Sequence, residues 1–141
     1  MENTRILLAE DDKNLGTILK AYLEAKNYPT LLCQDGKEAY EAFKREKFDF
    51  CVLDIMMPEM DGFEVCEKLK ADKTTREIPI IFLSARRGSE DISKGFAMGA
   101  YYYLTKPVEP KTLQAAVANV FKEIEIRRQL KTEMQRTASS V

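Results

Sequence analysis

An α/β domain built on a parallel five-stranded sheet is the fold this sequence predicts. Three observations carry that prediction. Short apolar runs alternate five times with segments whose apolar residues recur at helical spacing. The runs are apolar throughout, as in Phe50-Cys51-Val52-Leu53, which marks strands buried on both faces. Polar and turn-forming residues follow directly, as in Asp54-Ile55-Met56-Met57-Pro58-Glu59-Met60-Asp61-Gly62.

Arg5 to Ala9 is the first strand. Asn14 to Lys26 is a helix with Leu15, Ile18, Leu19, Tyr22 and Leu23 on its apolar face. Thr30 to Gln34 makes a short second strand after the turn at Asn27-Tyr28-Pro29. Gly36 to Glu46 is a helix burying Ala39, Ala42 and Phe43. Phe50 to Asp54 is the third strand, and Gly62 to Ala71 a helix on Val65, Cys66 and Leu69. Ile80 to Ser84 is the fourth strand, entered through Pro79, which suits a strand's first residue.

Ser89 is placed to cap the fourth helix, with Ile92, Gly95, Phe96 and Gly99 on one face. Two glycines there weaken a helix by about 1 kcal/mol each relative to alanine. A moving part and close packing both account for them. Tyr101 to Leu104 is the fifth strand, and the last helix starts near Pro110 with Leu113, Val117, Val120 and Ile124 on one face.

Five such units give a three-layer (βα)5 arrangement. Its size matches the flavodoxin-like strand order 2-1-3-4-5. Strands one and three are then neighbours, so Glu10, Asp11 and Asp54 converge at the topological switch point. The last helix outlasts the domain: residues 1–122 read as the domain, and 123–141 as a helical extension or linker. Ile126, Leu130 and Met134 continue the pattern before it dissolves at Thr137-Ala138-Ser139-Ser140-Val141. A protruding amphipathic helix without its own core needs a partner or it frays. It reads as a linker or a dimerisation helix.

Composition narrows the classes. At 141 residues the chain is one domain, 45% hydrophobic and 32% charged, with a net charge of −1. Nothing global points to nucleic acid or a membrane surface. Arg127, Arg128, Lys131 and Arg136 alternate with Glu123, Glu125 and Glu133, which reads as a solvated helix face. Cys33, Cys51 and Cys66 have no CxxC spacing and read as small buried hydrophobes in a reducing compartment. No run approaches the roughly 18–20 apolar residues of a membrane span. The start, Met1-Glu2-Asn3-Thr4-Arg5, leads straight into a strand without a signal peptide, so the expected location is cytoplasmic. The chain has no histidine, which excludes histidine bases, Ser-His-Asp triads and a phosphohistidine donor role.

The chemistry lies at the C-terminal strand ends. Glu10-Asp11-Asp12 ends the first strand as Asp54 ends the third. Such a set suits Mg²⁺, which takes oxygen ligands and retains waters. Asp11 and Asp54 are the direct ligands expected, with Glu10 acting through water and the Met56 backbone carbonyl completing the set. Asp12 either joins them or caps the first helix. Asp54 is the candidate nucleophile, since carboxylates form aspartyl-phosphates. Lys106 offers a mobile ammonium and Ser84 a hydroxyl donor for the phosphoryl group.

These motifs resemble the receiver domains of two-component response regulators. The matches are Glu10-Asp11, Asp54 with Met57-Pro58 and Asp61-Gly62, Ser84-Ala85, and Lys106-Pro107, spanning roughly Arg5 to Phe121. The resemblance implies a Mg²⁺-dependent phospho-switch, with Asp54 taking phosphate from a sensor histidine kinase or phosphotransfer protein. It implies that Ser84 then moves toward the phosphoryl group and that Tyr103 turns inward behind it. It also implies a cis Lys106-Pro107 bond. Met56 and Arg86 hold positions that tune dephosphorylation in receivers, and neither carries an acid or amide to orient water. A long-lived phosphoryl state is therefore expected. Tyr101-Tyr102 departs from the small polar or acidic residues common before the switch aromatic; exposed strand residues and a partner contact are both open.

An Asp-nucleophile phosphatase is the competing enzyme reading. Such enzymes need an acid two residues past the nucleophile, where this chain has Met56. A constitutive interaction domain is the third class, and the intact acidic site argues against it. A free-standing regulator and a receiver portion of a larger regulator or hybrid histidine kinase both fit. Homodimerisation through the 89–104 face or the C-terminal helix is expected, and direct nucleic-acid or membrane binding is not.

Overall fold

Alternating faces of the strands build two cores around one sheet. In the computed structural model, which describes residues 4–139, the elements are β1 (Ile6–Ala9), α1 (Lys13–Ala25), β2 (Thr30–Cys33), α2 (Gly36–Arg45) and β3 (Phe50–Asp54), followed by α3 (Gly62–Ala71), β4 (Ile80–Ser84), α4 (Ser89–Ala97), β5 (Tyr102–Thr105) and α5 (Pro110–Ser139). The strand order is β2-β1-β3-β4-β5 and every pairing is parallel. Side chains alternate across a strand. Leu7, Cys51, Leu53, Ile80 and Phe82 thus meet Ala39, Phe43, Val65 and Leu69 of α2 and α3 on one face. Ile6, Leu8, Phe50, Val52, Ile81 and Leu83 meet Leu19, Leu23, Leu113, Val117 and Val120 of α1 and α5 on the other. The flavodoxin-like fold class is therefore what forms, with a long C-terminal helix.

The register sets the site. Ala9 pairs with Leu53, Asp54 with Leu83 and Ser84 with Thr105, so the strand ends carrying the polar residues finish level. All three cysteines are buried and free.

Several boundaries differ from the sequence reading. β1 opens at Ile6, and β2, α1 and α2 end one residue earlier than expected. β5 covers Tyr102–Thr105 rather than Tyr101–Leu104, because pairing with β4 begins at Ile81↔Tyr102. Ser89 does not cap α4: Gly88 holds that position without a side-chain bond, and Ser89 is already helical. Gly99 is not on the α4 face but stops the helix, at φ +98, where a left-handed residue follows a helix C-terminus. On α1, Gly16, Leu19 and Leu23 are buried, whereas Ile18 and Tyr22 on the flanks of the stripe are 48% and 39% exposed.

α5 runs unbroken for 30 residues, about 45 Å at the usual helical rise. Thr137, Ala138 and Ser139 are helical rather than dissolved, and no break marks the expected boundary at residue 122. Met1–Asn3, Ser140 and Val141 lie outside the described residues. Past Ile124 the helix leaves the core, and Ile126, Leu130 and Met134 are 48%, 59% and 72% exposed.

Candidate functional site: an acidic crevice with one lysine

Asp54 is the last residue of β3 and is buried. Its Oδ1 accepts a hydrogen bond from the Met56 backbone N–H at 3.1 Å, and its Oδ2 accepts one from Lys106 Nζ at 2.8 Å. The loop beyond it is tightly folded. Met60 N–H donates to the Pro58 carbonyl at 2.8 Å across Glu59, whose φ is +70, giving a γ-turn of the uncommon positive-φ kind. Gly62 is required where the loop returns: a Cβ there would stand 2.4 Å from the Asp54 carbonyl oxygen. Asp61 then caps α3 by accepting from Glu64 N–H at 2.8 Å.

Glu10, just past β1, is fully buried. Its Oε2 accepts from Asp12 N–H at 3.0 Å. Lys106 Nζ lies 2.8 Å from its Oε1, yet off the hydrogen-bonding direction, so that oxygen has no hydrogen-bond partner. Glu10, the expected water-mediated ligand, is thus also a buried ion partner of Lys106. Asp11 is exposed, and one carboxylate oxygen each from Glu10, Asp11 and Asp54 lie within 4.8 Å of one another. Asp12 caps α1, its Oδ1 accepting from Asn14 N–H and Leu15 N–H at 3.0 and 3.1 Å.

The electrostatics follow from burial. Burial disfavours the charged form of an acid. The Glu10 carboxyl is pushed up to about 7, first by burial and further by the Asp54 charge, against the opposing pull of Lys106 and the Asp12 N–H. Burial raises Asp54 as well, against the same lysine. Burial pushes Lys106 down, but its two carboxylate partners outweigh this and hold it above its ordinary value. One ammonium thus faces two buried carboxylates.

Two further predicted residues lie on the neighbouring strands β4 and β5. Ser84, the last residue of β4, is fully buried and its Oγ accepts from Arg86 N–H at 3.0 Å. Tyr103, in β5, donates its hydroxyl to the Arg86 carbonyl at 2.9 Å. The Lys106-Pro107 bond is cis, and Lys106 N–H donates to the Ser84 carbonyl at 2.8 Å. Met56 contributes its N–H to Asp54 while its side chain is 49% exposed. Tyr101 is tied to α5, accepting from Arg127 Nη1 at 3.3 Å, and Tyr102 lines a groove with Leu104 and α5.

Sequence reasoning missed Arg87. Its Nη2 donates to the Lys106 carbonyl at 2.6 Å and so holds the turn that carries the lysine. In the sequence it is one arginine of an exposed Arg86-Arg87 pair, and nothing there distinguishes it.

The arrangement fits a hard divalent cation. Three carboxylates converge, one buried oxygen among them lacks a hydrogen bond, and exposed Asp11 stands at the mouth.

A fold of this order with acids and a lysine at the strand ends defines a class, and the comparisons name it. The family model for the response regulator receiver domain matches residues 6–118. The chain is 44% identical over 123 residues to the transcriptional regulatory protein RprY of Bacteroides fragilis, covering 87% of this chain and 51% of RprY. Its structure matches the receiver domain of the Francisella response regulator 1452 with a TM-score of 0.79 at 33% identity, over 86% of this chain and 99% of that one. It matches the receiver domain of sensor histidine kinase PA1611 from Pseudomonas aeruginosa PAO1, which has a magnesium ion coordinated in its active site cleft, with a TM-score of 0.72 at 30% identity, over 80% of this chain and 93% of that one. The chain belongs to the response regulator receiver domain family of two-component systems. It spans about half the length of RprY. Among the described residues no helix is long and apolar enough to cross a membrane.

Proposed function

We propose that the chain is a phosphorylation-driven signalling switch in which Asp54 accepts a phosphoryl group from the phosphohistidine of a sensor histidine kinase or a phosphotransfer protein. A carboxylate oxygen of Asp54 forms the new P–O bond as the P–N bond to the donor imidazole breaks. Lys106 starts as the counter-charge of Asp54 and, being mobile, follows the charge onto the phosphoryl oxygens. Ser84 is the hydroxyl that leaves the Arg86 N–H to reach the same group. Tyr103 follows the loop through its bond to the Arg86 carbonyl.

Glu10, Asp11, Asp54 and the Met56 carbonyl would hold Mg²⁺. That ion would supply charge neutralisation and orientation for the incoming phosphoryl group. The observation that carries this reading is the pairing of buried Asp54 with Lys106 beside Glu10 and Asp11 at level strand ends. Turnover of small phosphate esters is disfavoured, because the residue two beyond Asp54 is an exposed methionine rather than an acid.

The chain acts by changing what it binds, not as an enzyme on a separate substrate. Its half-length match to RprY supports a receiver portion of a larger regulator, working in the cytoplasm, with no direct nucleic-acid contact from this part. Phe96, 48% exposed on α4, and the Ile126-Leu130-Met134 stripe support homodimerisation through the 89–104 face or through α5. We take residues 1–122 as the switching domain and 123–141 as the extension that transmits its state.

Incubation with acetyl phosphate and Mg²⁺ followed by intact mass tests the reading. One phosphoryl adduct is expected on the wild type and none on Asp54→Asn. An adduct that survives in Asp54→Asn contradicts it.

A further inference from the structure

We infer that Gly95 is a positioning residue for Tyr103: the side chain missing from α4 is the seat of the tyrosine ring. Gly95 is buried in the helix and has no positive φ, so backbone conformation does not call for a glycine there. Space does. A Cβ would stand 2.9 Å from Tyr103 Cδ2, 3.4 Å from its Cε2 and 3.2 Å from Phe82 Cδ2.

The ring is held on its other sides. Its hydroxyl donates to the Arg86 carbonyl at 2.9 Å, and its centroid lies 6.5 Å from that of Phe82. Phe82 is in turn braced edge-on by Phe63 at 5.2 Å. Tyr103 therefore yields to a methyl group only by leaving the seat. Leaving it breaks the hydroxyl bond to Arg86, the residue whose N–H is held by Ser84 Oγ at 3.0 Å. A gap on α4 thus governs where the β5 aromatic rests and whether the β4–α4 loop is tethered.

This deepens the switch roles proposed for Ser84 and Tyr103 and rests on that reading for its functional meaning. The test does not depend on it. Melting temperatures are compared for the metal-free wild type, G95A, Y103A and the double variant. Alanine is the better helix former. Without the ring, G95A should raise Tm by about 4 °C for a domain of this size. With the ring present, the same substitution should lower Tm. A shift of the same sign in both backgrounds overturns the inference. Tyrosine-labelled NMR gives an independent readout: G95A should abolish the contact between the Tyr103 and Phe82 rings, and its persistence overturns the inference. Neither measurement involves phosphate, so failure of Asp54 to be phosphorylated leaves this result standing.

Discussion

Lys106 and Asp54 lie fifty-two residues apart in sequence and meet at 2.8 Å, ammonium against carboxylate, at the C-terminal edge of the sheet. The same ammonium stands 2.8 Å from Glu10, so one cation restrains two buried acids. Removing one member of a buried charge cluster leaves the others uncompensated.

Lys106→Met keeps the apolar stem and deletes the charge. The variant should be less stable than wild type at pH 8 by about 3 kcal/mol, as for a broken buried pair. The deficit should shrink toward pH 5, where Glu10 takes up a proton. Urea unfolding at the two values measures both; a deficit independent of pH counts against the cluster.

Glu10 makes the metal-free chain sensitive to pH. Its carboxyl titrates near 7 in the folded chain against an ordinary 4.5. The folded state therefore binds this proton more tightly, and stability falls as pH rises from about 4.5 to about 7. A divalent cation competes with that proton. Mg²⁺ affinity, read by calorimetry, should weaken by up to about tenfold per pH unit below 7. Affinity that is flat from pH 8 to pH 5.5 would show that Glu10 does not face the metal.

The phosphoryl group should be lost slowly. Met56 is an exposed thioether, and the Arg86 side chain turns to Asp91 at 3.6 Å, so neither orients an attacking water. Decay followed by intact mass should take minutes or longer. Met56→Asn should shorten the lifetime by at least about tenfold, the lower range for a positioned catalytic group. A wild-type half-life of seconds contradicts this.

The exposed stripe on α5 predicts an association phenotype without a folding one. Ile126→Ser with Leu130→Ser should change domain stability by less than about 0.5 kcal/mol, as for surface positions. Light scattering with beryllofluoride should show a dimer for wild type and a monomer for the variant. A variant that still dimerises assigns the contact to the 89–104 face instead.

Much of this was legible in the sequence, for a physical reason. Strands buried on both faces announce themselves as unbroken apolar runs, so β3 and β4 agree residue for residue with the structure. Strand ends collect the site in any sheet of this order, which is why Asp54, Glu10, Asp11, Ser84 and Lys106 could be placed together. Three consecutive tyrosines share one strand propensity, so only pairing with β4 decides that β5 starts at Tyr102. Helical spacing cannot separate a buried centre from half-exposed flanks, and Ile18 and Tyr22 fell on the flanks. The pairing of Glu10 with Lys106 was not legible, because the two are brought together only by the fold. Arg87 touches only a carbonyl, a contact with no sequence signature.

The central claim is that Asp54 itself carries the phosphoryl group. Borohydride reduces an aspartyl-phosphate to homoserine, which marks the residue that was modified. After treatment with acetyl phosphate and Mg²⁺, peptide mapping should find homoserine at position 54 and not at Asp11, Asp12 or Asp61. Homoserine at one of those positions, or at none, would contradict the account.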